Sequence, residues 1–207
     1  RMQRIMHDLK LFGKRPKEKY HSYKGEVGKV AGNIIQRNFK ADRPLQKWTT
    51  DVTQFHFSWG KCYLSPILDM NTNEIISYDL SMIPNLNQIK RMLNRAFKKF
   101  RNLQGLIMHS DQGWQYQHEY YRSELKKHGI IQSMSRKGNC YDNSIMETFF
   151  GRMKNEMYYG SEKEYTSFKV FAKAVKEYIH YFNKERIQKK TKWMPPEIYR
   201  ETSTNAI

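Results

Sequence analysis

Cysteine is scarce: the 207 residues hold two, Cys62 and Cys140, far apart and without a C-x-x-C pair or a close Cys/His cluster. A disulfide framework and a zinc site are thereby excluded, and a reduced, cytosolic compartment is expected. Long apolar runs are missing as well. No stretch approaches the roughly 20 residues needed to span a bilayer, and no secretory signal is present. Internal repeats and low-complexity tracts are absent, while 39% apolar and 14% aromatic residues are enough for one substantial core. The chain reads as a soluble globular protein. Arg1 stands where an initiator Met is expected, so the sequence is expected to begin inside a longer parent chain.

Acidic residues are few. Lys and Arg number 37 against 20 Asp and Glu, a formal net charge of +17. The excess is uneven: +9 over residues 1–47, +3 over 48–150 and +5 beyond. A basic chain with its acids gathered in the middle fits a polyanion held by the flanks and presented to a metal-binding centre.

Three regions follow from the pattern. Residues 1–47 read as a helix remnant, with Met2, Ile5, Met6 and Leu9 at helical spacing, followed by a basic linker that includes Gly13-Lys14-Arg15-Pro16-Lys17. Residues 48–160 read as an α/β core. Trp48 to Phe57, Lys61 to Asp69 and Glu74 to Met82 are strand-like and separated by turns, which predicts an antiparallel meander. Ile89, Met92, Leu93, Ala96, Phe97 and Phe100 mark an amphipathic helix. Leu106-Ile107-Met108 predicts a fourth strand running into His109-Ser110-Asp111. A helix carrying Tyr121 and Leu125 and closed by His128-Gly129 comes next, then a fifth strand at Ile130-Ile131 and a helix over about 142–158. Residues 161–207 supply a helix over about 165–183, with Phe168, Phe171, Val175, Tyr178, Ile179 and Phe182 on one stripe, and a tail. The order βββαβαβα predicts a mixed five-stranded sheet flanked by helices, a class in which ligands gather at strand C-terminal ends.

The chemistry is expected at acids that such a sheet brings together. Asp51 lies in the strand-like segment Trp48-Thr49-Thr50-Asp51-Val52-Thr53, where an unpaired carboxylate is costly to bury. Asp111 follows the fourth strand, and Glu147 sits early in the next helix. In that helix Asn143, Glu147, Gly151 and Lys154 share a stripe about a quarter turn from the Met146, Phe150, Met153 and Met157 face. Bland readings stand beside these. Ser144 to Glu147 also spells a capping box; Asp111-Gln112-Gly113 also fits an ordinary turn. Trp114 and Tyr116 read equally as stacking surfaces for unpaired bases or as core. Asp69 to Glu74 is rejected as a calcium loop, because its sixth position is Glu74 and its twelfth Leu80.

His109-Ser110-Asp111-Gln112-Gly113, Ser133 to Cys140, Asp142-Asn143 and Glu147 together resemble the DDE transposases of bacterial insertion sequences. The group encoded in two overlapping frames, with its catalytic core in the second, is the nearest; retroviral integrases are more distant. Trp48 to Thr53, Lys154 and Tyr181-Phe182-Asn183-Lys184-Glu185-Arg186 extend the resemblance over about residues 48–199. It departs where Gln188 stands in place of a His often found two residues after the Arg that matches Arg186.

The resemblance implies a ribonuclease-H-like fold in which Asp51, Asp111 and Glu147 bind two Mg²⁺ or Mn²⁺ ions. Three carboxylates within ~4 Å repel by about 4 kcal/mol per pair at an effective dielectric near 20, so the trio itself calls for cations. Water is expected to cleave the element's end, and the freed 3′-hydroxyl to attack a second phosphodiester. Lys154, Arg136, Lys137, Asn143 and Arg186 are expected DNA contacts, and His109 a structural hydrogen-bonding residue. Double-stranded DNA, a homo-oligomer bridging two ends, and the bacterial cytoplasm, with attachment to the nucleoid when bound, complete the expectation. A DNA-binding relative without catalysis and a purely hydrolytic nuclease, with Asp69 or Asp142 as a fourth carboxylate, are the rival readings.

Overall fold

The structure, a computed structural model, describes residues 2–10 and 28–204; the basic stretch from Gly13 to Lys17 lies outside the described residues. Helix α1 (Met2–Asp8) precedes strands β1 (Lys47–Thr50), β2 (Thr53–Phe57), β3 (Gly60–Asp69) and β4 (Ile75–Ser81). Helix α2 (Leu86–Lys99), strand β5 (Ile107–Ser110), the short helices α3 (Trp114–Gln117) and α4 (Glu119–Lys127) and strand β6 (Ile131–Met134) follow. A 3-10 turn at Cys140–Asn143 leads into α5 (Ser144–Met157), and α6 (Phe168–Lys184) and α7 (Pro196–Thr204) come last.

The six strands form one sheet. β4 pairs with one edge of β3, both β1 and β2 pair with the other, and β5 and then β6 continue beyond β1. The pairs within the β1–β4 meander are antiparallel, whereas β1–β5 and β5–β6 are parallel. The expected count of five strands is corrected to six, because the first one is broken. β1 and β2 keep one register against β3, Trp48 facing Asp69 and Thr53 facing Leu64, so Asp51 falls opposite Pro66. Proline has no N–H to give the ladder, and its carbonyl is taken by the Thr50 hydroxyl at 2.8 Å. The ladder lapses at Asp51 and Val52 and resumes at Thr53.

Alternation along the strands sorts side chains to two faces. Trp48, Ile67 and Ile76 pack with Met92, Leu93 and Ala96 of α2 and with Tyr121 and Leu125 of α4. Phe55, Leu64, Leu68 and Ile75 face the other way, onto Met146, Phe149 and Met153 of α5 and Phe171, Val175 and Phe182 of α6. The stripe expected on the C-terminal helix is therefore core. On α1, by contrast, Ile5, Met6 and Leu9 are exposed despite their helical spacing.

Helix α7 has no counterpart in the sequence expectation, although Pro196 at its first position and Glu197 in its first turn are helix-start signals. Buried Glu74 helps to hold it: Arg200 Nε of α7 and Lys99 Nζ of α2 each approach a Glu74 carboxylate oxygen to 2.6 Å.

Candidate active site

The parallel register builds the centre. Lys47, Trp48 and Thr49 of β1 pair with Ile107, Met108 and His109 of β5. Extended by two residues, the same offset sets Asp51 level with Asp111, each immediately beyond the C-terminal end of its strand. Neighbouring strands lie about 4.8 Å apart, so two carboxylates widely separated in sequence are brought side by side at the C-terminal ends of two interior strands. Asp51 Oδ1 accepts from the Val52 N–H at 2.7 Å and Asp111 Oδ1 from the Gly113 N–H at 2.9 Å. A Cβ at 113 would lie 2.7 Å from the flexible Gln115 Nε2 and 3.0 Å from Asp111 Oδ1, so glycine leaves that carboxylate room. The turn reading of Asp111-Gln112-Gly113 thus also holds, and it serves to aim the carboxylate.

Helix α5 supplies the third acid. Its start is tied to β1 by the Thr49 hydroxyl, which donates to Asn143 Oδ1 at 2.9 Å. That bond turns the Asn143 Nδ2 toward the Asp51 carboxyl, whose ionised form it favours, yet Nδ2 is buried without a hydrogen-bond partner. The capping box does not form: Asn143 is the N-cap, Ser144 already has helical dihedrals, and no side chain caps the helix. Glu147 is consequently exposed on the site side. Gly151, one turn on, has open space where a Cβ would stand. Farther along the stripe, the Lys154 ammonium lies 5.2 Å from the centre of the Phe55 ring, without a carboxylate in ion-pair range among the described residues.

The charges of Asp111 and Glu147 both act on Asp51. Burial, then the Asp111 charge and then Glu147 push the Asp51 carboxyl well above the usual range, against the pull of the Val52 N–H. Burial raises Asp111 and Glu147 as well, and desolvation lowers Lys154. Among the described residues no three His, Cys, Asp or Glu side chains are placed so that they could hold a metal ion together. The donor chemistry suits a hard cation: carboxylate oxygens, of which Asp51 carries an anion disfavoured by burial and by the charges of Asp111 and Glu147.

The other expected site residues divide. Lys137 is exposed on the loop before α5. Arg136 is committed internally, Nε and Nη2 each donating at 2.9 Å to the Asp142 carboxylate. Arg186 donates through Nη1 to Glu156 at 2.7 Å. His109 is buried between Ser133 Oγ and the Asp142 carbonyl, both at 2.9 Å, and burial lowers its pKa; its role is structural. Tyr116 is fully buried with its ring edge-on to Tyr121, so it cannot stack on a base, whereas Trp114 is exposed. Burial, then the nearby Asp51 and Asp111, raise the Tyr116 phenol strongly. Gln188, at the point of departure from the family pattern, accepts from Asn73 Nδ2 at 2.9 Å and pins the β3–β4 turn.

Three residues were missed as parts of this region. Thr49 orients Asn143, and its alternation partner Trp48 gave the only hint. Asn33 and Arg37 reach Asp142 across more than 100 residues, which no local pattern reveals.

The family model described as integrase core domain matches residues 41–140, and a second of the same description matches 147–203. An uncharacterized transposase-like protein of Haemophilus influenzae is 53% identical over 99% of this chain and 94% of its own length. A protein of Escherichia coli named for transposase InsK of insertion sequence element IS150 is 48% identical, over 96% of this chain and 70% of its own. The transposase for insertion sequence element IS904 of Lactococcus lactis is 31% identical, over 96% and 79%. The chain belongs to the insertion-sequence transposases.

Solved structures place this transposase in the integrase-core, ribonuclease-H-like fold. The HTLV-2 integrase catalytic core domain, in complex with magnesium in a trimeric form, superposes with a TM-score of 0.62 at 13% identity, over 78% of this chain and 99% of that one. The core domain of BIV integrase gives 0.52 at 20% identity, over 78% and 97%. No described helix of the transposase is long and apolar enough to cross a membrane.

Proposed function

We propose that this transposase performs divalent-metal-dependent cleavage at the ends of its insertion sequence and joins those ends to target DNA, with Asp51, Asp111 and Glu147 as its catalytic acids. The observation that carries the reading is the register of β1 and β5, which sets Asp51 level with Asp111 while Glu147 adds its charge to the same centre. The three carboxylates would hold Mg²⁺ or Mn²⁺, two ions in the full form of the proposal. Bound there, the ions would supply positive charge to phosphate oxygens and acidity to the attacking hydroxyl.

The chain's own residues position the DNA. Asn143 Nδ2, buried and lacking an acceptor, donates to a phosphate oxygen. The Lys154 ammonium, already partly desolvated, gains most from a phosphate beside it, and exposed Lys137 neutralises backbone farther out. Arg136 and Arg186 act instead through their internal ion pairs. In cleavage, water adds to phosphorus and the 3′-oxygen leaves with a proton. In joining, that 3′-hydroxyl loses its proton as it attacks a target phosphodiester, releasing the target's own 3′-oxygen. Bond count and charge are conserved, so no covalent protein intermediate is needed. The transposase acts as a homo-oligomer on double-stranded DNA in the bacterial cytoplasm.

The purely hydrolytic reading loses its fourth carboxylate. Asp69 is consumed by donors from Leu45, Trp48, Asn71 and Thr72, and Asp142 by Asn33, Arg37 and Arg136. The test is Glu147→Gln, which should abolish Mg²⁺-dependent nicking and joining of end DNA while leaving binding largely intact. Persistent joining by that variant would remove Glu147 from the site.

A further inference from the structure

The segment ahead of β1 does not leave the core as a free tether. Gly28 lies against Gln117, so closely that a Cβ at 28 would come within 2.8 Å of the Gln117 Cβ. The chain then follows the end of β6: Met134 N–H donates to the Gly32 carbonyl at 3.2 Å, and the Ile34 N–H to Ser133 Oγ at 3.0 Å. Ile35 is buried in a small apolar cluster against which Ile145, on the first turn of α5, also packs.

Its strongest attachment is to Asp142. That carboxylate is wholly covered and receives five hydrogen bonds. Asn33 Nδ2 donates at 3.0 Å and Arg37 Nε at 2.9 Å; the Arg136 backbone N–H and guanidinium supply the rest. Arg37 Nη2 also donates to Asn139 Oδ1 at 3.1 Å, and its guanidinium sits 5.7 Å from the Tyr141 ring centre. Gln36 and Arg37 both hold left-handed backbone, φ 48° and 65°, a conformation that costs non-glycine residues free energy and persists where surroundings enforce it. That turn is what brings Arg37 back onto the loop. The network closes on the candidate site: the Asp142 carbonyl meets His109 Nε2, Ser133 Oγ joins the Ile34 amide to His109 Nδ1, and Asn143 follows Asp142 directly.

We propose that Asn33 and Arg37 are positioning residues: residues 28–38 strap down the 135–143 loop, so that Asn143 and Glu147 are presented to Asp51 and Asp111. The proposal rests on the catalytic reading of those four residues. It makes strap docking a condition of an assembled site, and it gives the chain upstream of Gly28 a mechanical path to the start of α5.

The test uses the full chain carrying Asn33→Ala, Arg37→Ala or both, with Arg37→Lys and Glu147→Gln alongside. Arg136 still pairs with Asp142 in every strap variant, so the carboxylate is not orphaned and folding is retained. The DNA probe is a duplex bearing the terminal inverted repeat of the element that encodes this chain. At saturating duplex and Mg²⁺, single-turnover cleavage and joining should fall about 10- to 100-fold in the double variant, with affinity for the duplex unchanged. Amide hydrogen exchange should rise over 136–147 and not in α2 or α6, and Arg37→Lys, which keeps the charge, should recover part of the rate. Full-rate joining by the double variant, while Glu147→Gln is inactive, would overturn the proposal; so would exchange rising equally across the core. Should Glu147→Gln itself join DNA, the catalytic reading fails instead, and the strap stands or falls on the local exchange alone.

Discussion

Thr49 and Asn143 are joined by a 2.9 Å hydrogen bond from the Thr49 hydroxyl to the Asn143 side-chain oxygen Oδ1. One residue is the last but one of a central strand and the other the cap of the helix that carries Glu147. An asparagine amide can otherwise rotate by half a turn at little cost. Among the described residues the donor offered to Oδ1 comes from the strand, so the amide nitrogen is left facing the acids.

Thr49→Val keeps the shape of the side chain and removes that donor. The buried Asn143 oxygen then goes unpaired, at a cost of about 1–2 kcal/mol in unfolding free energy, which urea denaturation would read. Cleavage should slow by more than stability predicts, because the amide becomes free to turn. A variant that loses stability and keeps the full rate would dissociate the bond from the chemistry.

Asp142→Asn should cost about 3 kcal/mol at pH 7, the low end for a broken buried ion pair because both arginines stay half-exposed. Hydrogen bonds from the Arg136 side chain, then those from its backbone and from Arg37, hold the Asp142 carboxyl far below its usual range against the opposing pull of burial. A carboxyl depressed in the folded state contributes stability in full above its unfolded pKa of about 3.9 and loses it as pH falls further. The gap between the parent chain and the Asn variant should therefore be constant from pH 7 to about 5 and narrow below pH 4. Denaturation curves across that range would show it, and a gap unchanged at pH 2 would contradict the ionic origin.

Asp51→Asn should act in opposite directions with and without divalent cation. Burial and two neighbouring acids disfavour the Asp51 anion, so a neutral isostere should raise the metal-free melting temperature. Addition of Mg²⁺ should raise the melting temperature of the parent chain and leave the variant nearly unmoved. Equal Mg²⁺ stabilisation of both would place the ion elsewhere.

Much of this arrangement was legible in the residues. Asp111 stands at the end of a run of β-forming residues and Asp51 was expected inside one, while the meander, the α2 face and the α6 stripe follow from period alone. What escaped was decided across the sheet or across the chain. The break in the first strand is set by Pro66 on its neighbour, visible in sequence but meaningless until register is known. Tyr116 read equally as stacking surface or core because nothing local says that α3 buries it. The capping box at Ser144 gave way because Asn143 is held by Thr49 and takes the cap position first. Asn33 and Arg37 looked like linker because their partner, Asp142, lies more than 100 residues away.

Pro66 touches no nucleic acid in this scheme, yet its consequence reaches the reaction. A continuous ladder would lock the backbone at position 51 into regular pleating and leave its carboxylate no latitude. By withholding one hydrogen, an imino acid on the adjacent strand relaxes two residues and lets Asp51 curl back onto the amide of Val52. The latitude of Asp51 is thus written one strand over, in a side chain chosen for what it cannot donate.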